Sequence, residues 1–324
     1  MTRIFAFLMA LFLVGTASSQ DVRVFETLTR SDVSTEQTAQ NVSGMLTAAG
    51  YDVLSLRDVG TEDGCPGSVQ VITAWHPAGV DDVFDLNART APYALVERVA
   101  IFNDGTGTWV STIRPASLLR TVFLDDPAVD GVASARRMRM RDALGADLER
   151  AYGQERGRGK IGKTMGVMAG GPFDEKIGAI AEAGGLSVME AADRIEAGFE
   201  GPEGDWGMVL AYRLDLPDRD LVVFGVTSDE MEARSFSIVG SGSDKERKDI
   251  PCAGTAYAPA YPIEMVVRTE GDAAVVETVD AMFRMKMFFE DAGKWAFMKN
   301  MTMPGSLASE MKDRVGQALA AEAQ

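Results

Sequence analysis

Few residues in this 324-residue chain have the types and spacing that chemistry requires. The most explicit pattern is GRGKIGKT at 157–164, which matches the phosphate-binding sequence G-x-x-x-x-G-K-[ST]. A working phosphate loop needs a buried strand before it and a helix after it, so that backbone N–H groups and the helix dipole converge on the phosphates. Here the polar, helix-like ALGADLERAYGQER precedes the match and MGVMAGGP, a poor helix start, follows it. The segment therefore reads as part of a Gly-rich basic linker over 153–172 and not as a nucleotide site.

Acid/base chemistry has three candidates. His76 is the sole histidine, placed at a strand end between Trp75 and Pro77. It reads as a structural residue or as a single imidazole ligand or acid/base group. Glu97 and Glu264 occupy matching places in two similar stretches, APYALVE and APAYPIE, and would form a symmetric carboxylate pair if those stretches faced each other; the alternative places each on a solvent face. With one histidine and two distant cysteines, neither a Ser/His/Asp triad nor a zinc site of His and Cys is visible, so no catalytic residue is assigned. Cys65 and Cys252 either pair across the two halves of the chain or serve as buried thiols.

Methionine supplies the remaining candidate. Among 18 methionines, Met282, Met285 and Met287 repeat the spacing of Met298, Met301 and Met303. Clustered thioethers suit Cu(I), a soft ion. Against this, Met fills irregular gaps in cores, and Met282–Phe289 reads as a helix packed on a sheet. Met301-Thr-Met303-Pro304-Gly305 reads as a loop and is the better copper candidate. Trp75, Trp109, Trp206 and Trp295 are scattered and are accounted for by core packing.

The elements that must position these residues follow from periodicity. VRVFETLTR alternates as a strand, and residues 34–49 carry Val42, Met45 and Leu46 near helical spacing. YDVLSLRDV and VQVITAW read as strands, VDDVFDLNART as a helix, and ERVAIFND with GTWVSTI as a hairpin. The order βαββαββα predicts an α+β fold: a largely antiparallel sheet with helices on one face.

The second half repeats this plan, giving two related two-layer units that pack as a pseudo-dimer within one chain. Glu97 matches Glu264, and the helix stop at Gly50 matches a helix stop at Gly184. The second copy carries extra residues between these landmarks, most evidently SGSDKERKD at 241–249. The domain plan is thus 20–152 for the first unit and 173–324 for the second.

Over Val22 to Asp126 the first half resembles the domain of unknown function 302 family. The residues that carry the likeness are the helix-Gly-strand opening, the strand ending at Trp75-His76-Pro77, and the hairpin that follows. The resemblance implies a small α+β domain able to dimerise, and it implies no established activity. The family commonly has Pro-Cys at the hairpin entrance, whereas Val96-Glu97 and Ile263-Glu264 stand here. Thiol chemistry does not carry over.

Compartment and charge narrow the reading. Arg3, an apolar run from Ile4 to Val14, and Ala17 and Ser19 before the cut have the order of a signal peptide over 1–19, too short to span a bilayer. This predicts a secreted protein, periplasmic in a bacterium, with no stable membrane insertion after cleavage. The formal net charge of -16 excludes nucleic acid as a partner. The preferred reading is a non-catalytic accessory or ligand-binding protein, taking a small ligand or an exported protein partner between its two units, with no cofactor specified. Periplasmic Cu(I) handling through the methionines is the alternative, and an enzyme using Glu97, Glu264 and His76 is the third.

Overall fold

A computed structural model describes residues 22–62, 64–65, 67–124, 126–156, 171–201, 203–241, 250–292 and 294–321. The signal segment 1–19, the GRGKIGKT stretch and residues 242–249 lie outside the described residues. The first unit runs β1 (Val22–Ser31), α1 (Thr35–Ala48), β2 (Asp52–Asp58), β3 (Val69–Trp75), α2 (Val80–Leu86), β4 (Glu97–Asn103), β5 (Thr108–Ile113), α3 (Pro115–Val122), α4 (Val129–Ala143) and β6 (Arg150–Arg156). The second runs β7 (Ile177–Gly184), α5 (Val188–Gly198), β8 (Val209–Leu216), β9 (Leu221–Thr227), α6 (Asp229–Gly240), β10 (Ile263–Glu270), β11 (Ala273–Val279), α7 (Ala281–Phe289), α8 (Lys294–Lys299) and α9 (Met303–Ala320). Short 3-10 helices, Ala91–Ala94 and Ala253–Ala260, lead into β4 and β10.

Local sequence explains the boundaries. Ser34 caps α1 by accepting from the Gln37 N–H at 3.2 Å, and Gly50 takes the left-handed conformation (φ 86°) that lets the chain turn into β2. Ser187 and Glu190 form a reciprocal capping box at the start of α5. Residues 153–156, expected in the linker, instead complete β6, because they pair with the first residues of β1.

All strand pairings are antiparallel, and the two sheets have the same order. The first is β2-β3-β4-β5-β1-β6 and the second β8-β9-β10-β11-β7, so the fold is α+β with two sheet-plus-helix units. The repeat extends to register. In the first sheet a shift falls at Leu54 between β2 and β3, and in the second at Ala211 between β8 and β9. Shifts at Leu28 in β1 and Ile180 in β7 correspond in the same way. Bulges re-aim the strand that carries them, so their recurrence keeps the same faces inward in both units.

Register also corrects the matching of the two halves. Val99 pairs with Thr112 and Met265 with Thr278, and each threonine hydroxyl donates to a backbone carbonyl, that of Arg98 at 2.8 Å and that of Glu264 at 2.9 Å. The counterpart of Glu264 is therefore Arg98, not Glu97. Gly184 is likewise no helix stop: it ends β7, the counterpart of β1, and the following helix begins only at the Ser187 cap.

One face of the first sheet packs on α1 and α4 through Leu46, Ile72, Ile101 and Met140. The other face, with Val71, Ala100 and Phe102, joins a core shared with the second unit. Aromatic rings fill that junction: Phe25 meets Tyr257 edge-on at 5.2 Å and lies 6.3 Å from Phe288. Cys65, beyond β2, is bonded to Cys252, beyond α6, with Cα atoms 5.6 Å apart. Gly60 accompanies this crossing, since a Cβ there would lie 2.2 Å from the Asp229 carbonyl oxygen. Among the described residues, no helix is long and apolar enough to cross a membrane.

Candidate functional site

Glu97 and Glu264, read as a carboxylate pair or as solvent-facing residues, are each engaged by arginine. Glu97, at the start of β4, accepts from Arg136 Nε at 3.3 Å, while Arg136 also donates to the Ala94 and Leu95 carbonyls. Glu264 is ion-paired with Arg98 across the unit junction, with Arg284 Nε a further 3.7 Å from its second oxygen. Each glutamate is held by arginine from its own surroundings, which leaves neither as a free base. His76 is half-buried, its ring edge-on to Tyr51 at 4.8 Å and its Nδ1 accepting from the Ala78 N–H at 3.1 Å. Among the described residues no three His, Cys, Asp or Glu groups converge as metal ligands.

At the junction between the units, space is open at the rim, where a basin lies between Thr61 and Glu62 of the first unit and Glu230, Arg234 and Trp295 of the second, and tight around the aromatic rings. A recess bounded by Phe102, Tyr152 and Ala256 has a volume of about 20 Å³, room for roughly one water. The Tyr152 hydroxyl closes it with hydrogen bonds to the Ala256 carbonyl (2.6 Å) and Ser111 Oγ (3.0 Å). A ligand seated in that recess would have to displace packed aromatic rings.

Open apolar space lies instead inside the second unit. A slot of about 80 Å³ is walled by α6 (Ile238), Ile263 of β10, α7 (Met285), and α9 (Met303, Leu307, Met311). Its polar groups are few: Tyr261, whose hydroxyl is 2.7 Å from Ser235 Oγ, Arg284, Thr278, and Asn300 at the rim. Apolar walls with a small number of placed polar groups are the usual anatomy of a small-molecule site.

Arg284 gives the slot its electrostatics. It lies buried on α7, donating from Nη2 to the carbonyls of Ala260 and Pro262, the latter at 2.8 Å, and its guanidinium sits 5.0 Å above the Phe288 ring. The Pro262 carbonyl also accepts from Arg98 Nη1 at 3.0 Å. Arg98 is 1% exposed and Glu264 6%, so two guanidiniums and one carboxylate share a buried cluster. Neither Arg98 Nε nor Arg284 Nε has a hydrogen-bond partner. Burial pulls the Arg284 pKa below its ordinary value; Glu264 opposes that shift and Arg98 adds to it. Burial, with Glu264 second, pushes the Tyr212 phenol the other way.

The methionine runs divide between core and surface. Met287 is buried in the core, Met282 packs against it, and Met285 and Met303 line the slot together with Met311 from outside both runs. Met298 and Met301 are exposed. The Met301–Gly305 stretch is not a loop throughout, because α9 begins at Met303 with Pro304 in its first turn, where a missing N–H costs nothing. Trp295, expected in a core, is 76% exposed on α8. It stands in an open basin that shares Ile238 and Asn300 with the slot.

The slot was not legible beforehand, since it needs α6, α7 and α9 to converge. One signal pointed toward it: of the two charged residues in the apolar helix AMFRMKMFF, Arg284 and Lys286, Arg284 falls on the buried face with Phe283, Met287 and Phe288.

Comparison with known proteins adds one weak structural likeness. No family model matches the chain, and no curated protein matches it. One solved structure to which it is similar is the crystal structure of the uncharacterized conserved protein DUF302 from Bacillus stearothermophilus, with 16% identity and a TM-score of 0.34 over 38% of this chain and 96% of that one. At that distance the likeness bears on no residue of the slot.

Proposed function

We propose that this chain is an exported, non-catalytic accessory protein that binds a small ligand, and that the ligand sits in the apolar slot of the second unit. The observation that carries the reading is the slot itself, an apolar space with a buried arginine in its wall. Export is supported by the signal-like residues 1–19 and by the Cys65–Cys252 bond, a linkage that persists in oxidising compartments. The net charge of -16 argues against nucleic acid. Arginine partners on Glu97 and Glu264 weigh against acid/base catalysis there.

The test is native mass spectrometry of the mature protein, beginning near Gln20, isolated from the exporting compartment without chelator or reductant. An added mass of an organic ligand is expected, lost when Met285→Trp fills the slot. A bare chain that also fails to take up apolar compounds overturns the reading.

One observation favours copper as a second reading: the thioethers of Met285, Met303 and Met311 line one cavity. In that case the added mass is copper, and replacing these three residues by leucine abolishes Cu(I) uptake, while replacing the exposed Met298 and Met301 leaves it unchanged.

A further inference from the structure

We infer that the slot takes an amphiphile with a single carboxylate, its head directed inward to Arg284 and its slim apolar tail running outward past Met285 and Met303. This inference rests on the ligand-binding reading above and names its ligand class.

The charge balance carries the argument. The cluster of Arg98, Arg284 and Glu264 holds one more positive than negative charge in a buried setting. An uncompensated buried charge is costly, and a bound anion removes that cost. The surrounding carboxylates are already engaged: Glu277 by Arg89 and Arg268, and Glu232 by Arg57. Carbonyls of Ala260 and Pro262 occupy Nη2 of Arg284, but its Nε has no hydrogen-bond partner, and Glu264 at 3.7 Å stands beyond hydrogen-bonding distance. Arg284 is also a wall of the slot, so a carboxylate entering it meets the side chain that carries the excess charge of the cluster.

The walls define the rest of the ligand. Beyond Arg284 and the Tyr261–Ser235 hydroxyl pair, the lining is almost wholly apolar, and three methionines make it adaptable in shape. A volume of about 80 Å³ makes the slot narrow, which suits a slim chain better than a bulky ring system. Where the slot meets the basin at Ile238 and Asn300, exposed Trp295 offers apolar surface for a tail that outgrows the slot.

The experiment titrates the delipidated mature chain with octanoate, octanol, octyltrimethylammonium and acetate, by calorimetry and by tryptophan emission. Octanoate is expected to bind roughly tenfold or more tighter than octanol, the size of one hydrogen bond to a charged group. Octyltrimethylammonium and acetate are expected to bind far more weakly. Equal affinity for octanoate and octanol overturns the carboxylate assignment and leaves an apolar site standing; no binding by any of the four overturns both. Arg284→Met leaves Glu264 paired with Arg98 and should erase the preference for octanoate while retaining octanol. If that variant does not fold, the matched series on the unaltered chain still decides.

Discussion

The two units follow the same path and use it differently. The first extends its sheet by β6 and leaves its inner face to the junction, whereas the second ends its sheet at β7 and encloses a slot between α6, α7 and α9. Their central positions differ most. Arg98 and Glu264 are counterparts in register, and they contact each other, which places them on the axis relating the units. A dimer of identical units would set like residue against like at such a position. A chain that carries both copies can set arginine against glutamate, and so favours pairing of unlike units over pairing of like ones.

The strongest test of that comparison is to cut the covalent tie between the units. The Cys65–Cys252 bond joins residues 187 apart, and closing so long a loop in the unfolded chain is worth about 5 kcal/mol on the chain-entropy account. Cys65→Ser with Cys252→Ser should lower unfolding stability by close to that amount in denaturant titrations. A loss under ~1 kcal/mol would mean that the non-covalent junction alone holds the two units in register.

The axial cluster should respond unequally. Glu264→Gln leaves two buried guanidiniums without a carboxylate and should cost about 3–5 kcal/mol, the usual penalty for stranding a buried charge. Arg98→Met leaves Glu264 with Arg284, a balanced pair, and should cost clearly less. Denaturant midpoints measured side by side check the order, and equal losses would remove the argument for an excess positive charge.

How much of this could be read from the sequence differs by element. APYALVE and APAYPIE mark the approach to β4 and β10, and the βαββαββα order is present in both units. The matching by letter failed by one position, because aligning Glu97 with Glu264 ignores which carbonyl each threonine of the next strand reaches. A shift of one residue turns a side chain to the opposite face of a sheet, so a minor slip in letters is a complete error in position. AIAEAGG resembled a helix stop through its alanines, yet the pairing of β7 with β11 overrides propensity there, and the Ser187-x-x-Glu190 box is the signal that marks the true helix start.

Alkaline pH should separate folded from unfolded chain through tyrosines in both units. Burial pushes the Tyr261 phenol from its ordinary 10.0 up to about 12, and Tyr51, Tyr93 and Tyr212 are also raised. With the folded pKa above the unfolded one, this stability is fully present below pH 10 and is lost as pH rises through about 12. Tyr261 alone accounts for about 3 kcal/mol of that loss. Phenolate absorbance from these side chains should therefore appear together with unfolding, and phenolate formation well before the loss of circular dichroism would contradict their burial.

The finest test concerns two ion pairs that cross the junction in opposite senses. Arg57 of β2 reaches Glu232 on α6, and Arg219, just beyond β8, reaches Asp81 on α2, so each ties the β2 or β8 side of one unit to a helix of the other, from positions that do not match in register. They are not equivalent in burial. The Glu232 side chain is 0% exposed and also accepts from the Gly60 N–H at 3.0 Å and the Thr227 hydroxyl, while that of Asp81 is 86% exposed. Arg57→Ala should cost about 2 kcal/mol, less than the usual buried-pair penalty because two donors remain on the carboxylate. Arg219→Ala should cost under ~1 kcal/mol, including its stacking on the Phe84 ring at 3.9 Å, since solvent screens an exposed pair. Raising the salt concentration should weaken the second pair and leave the first nearly unchanged. Equal costs and equal salt sensitivity would make the junction symmetric in energy as well as in path, and the difference between the units would then lie in the axial cluster and the slot alone.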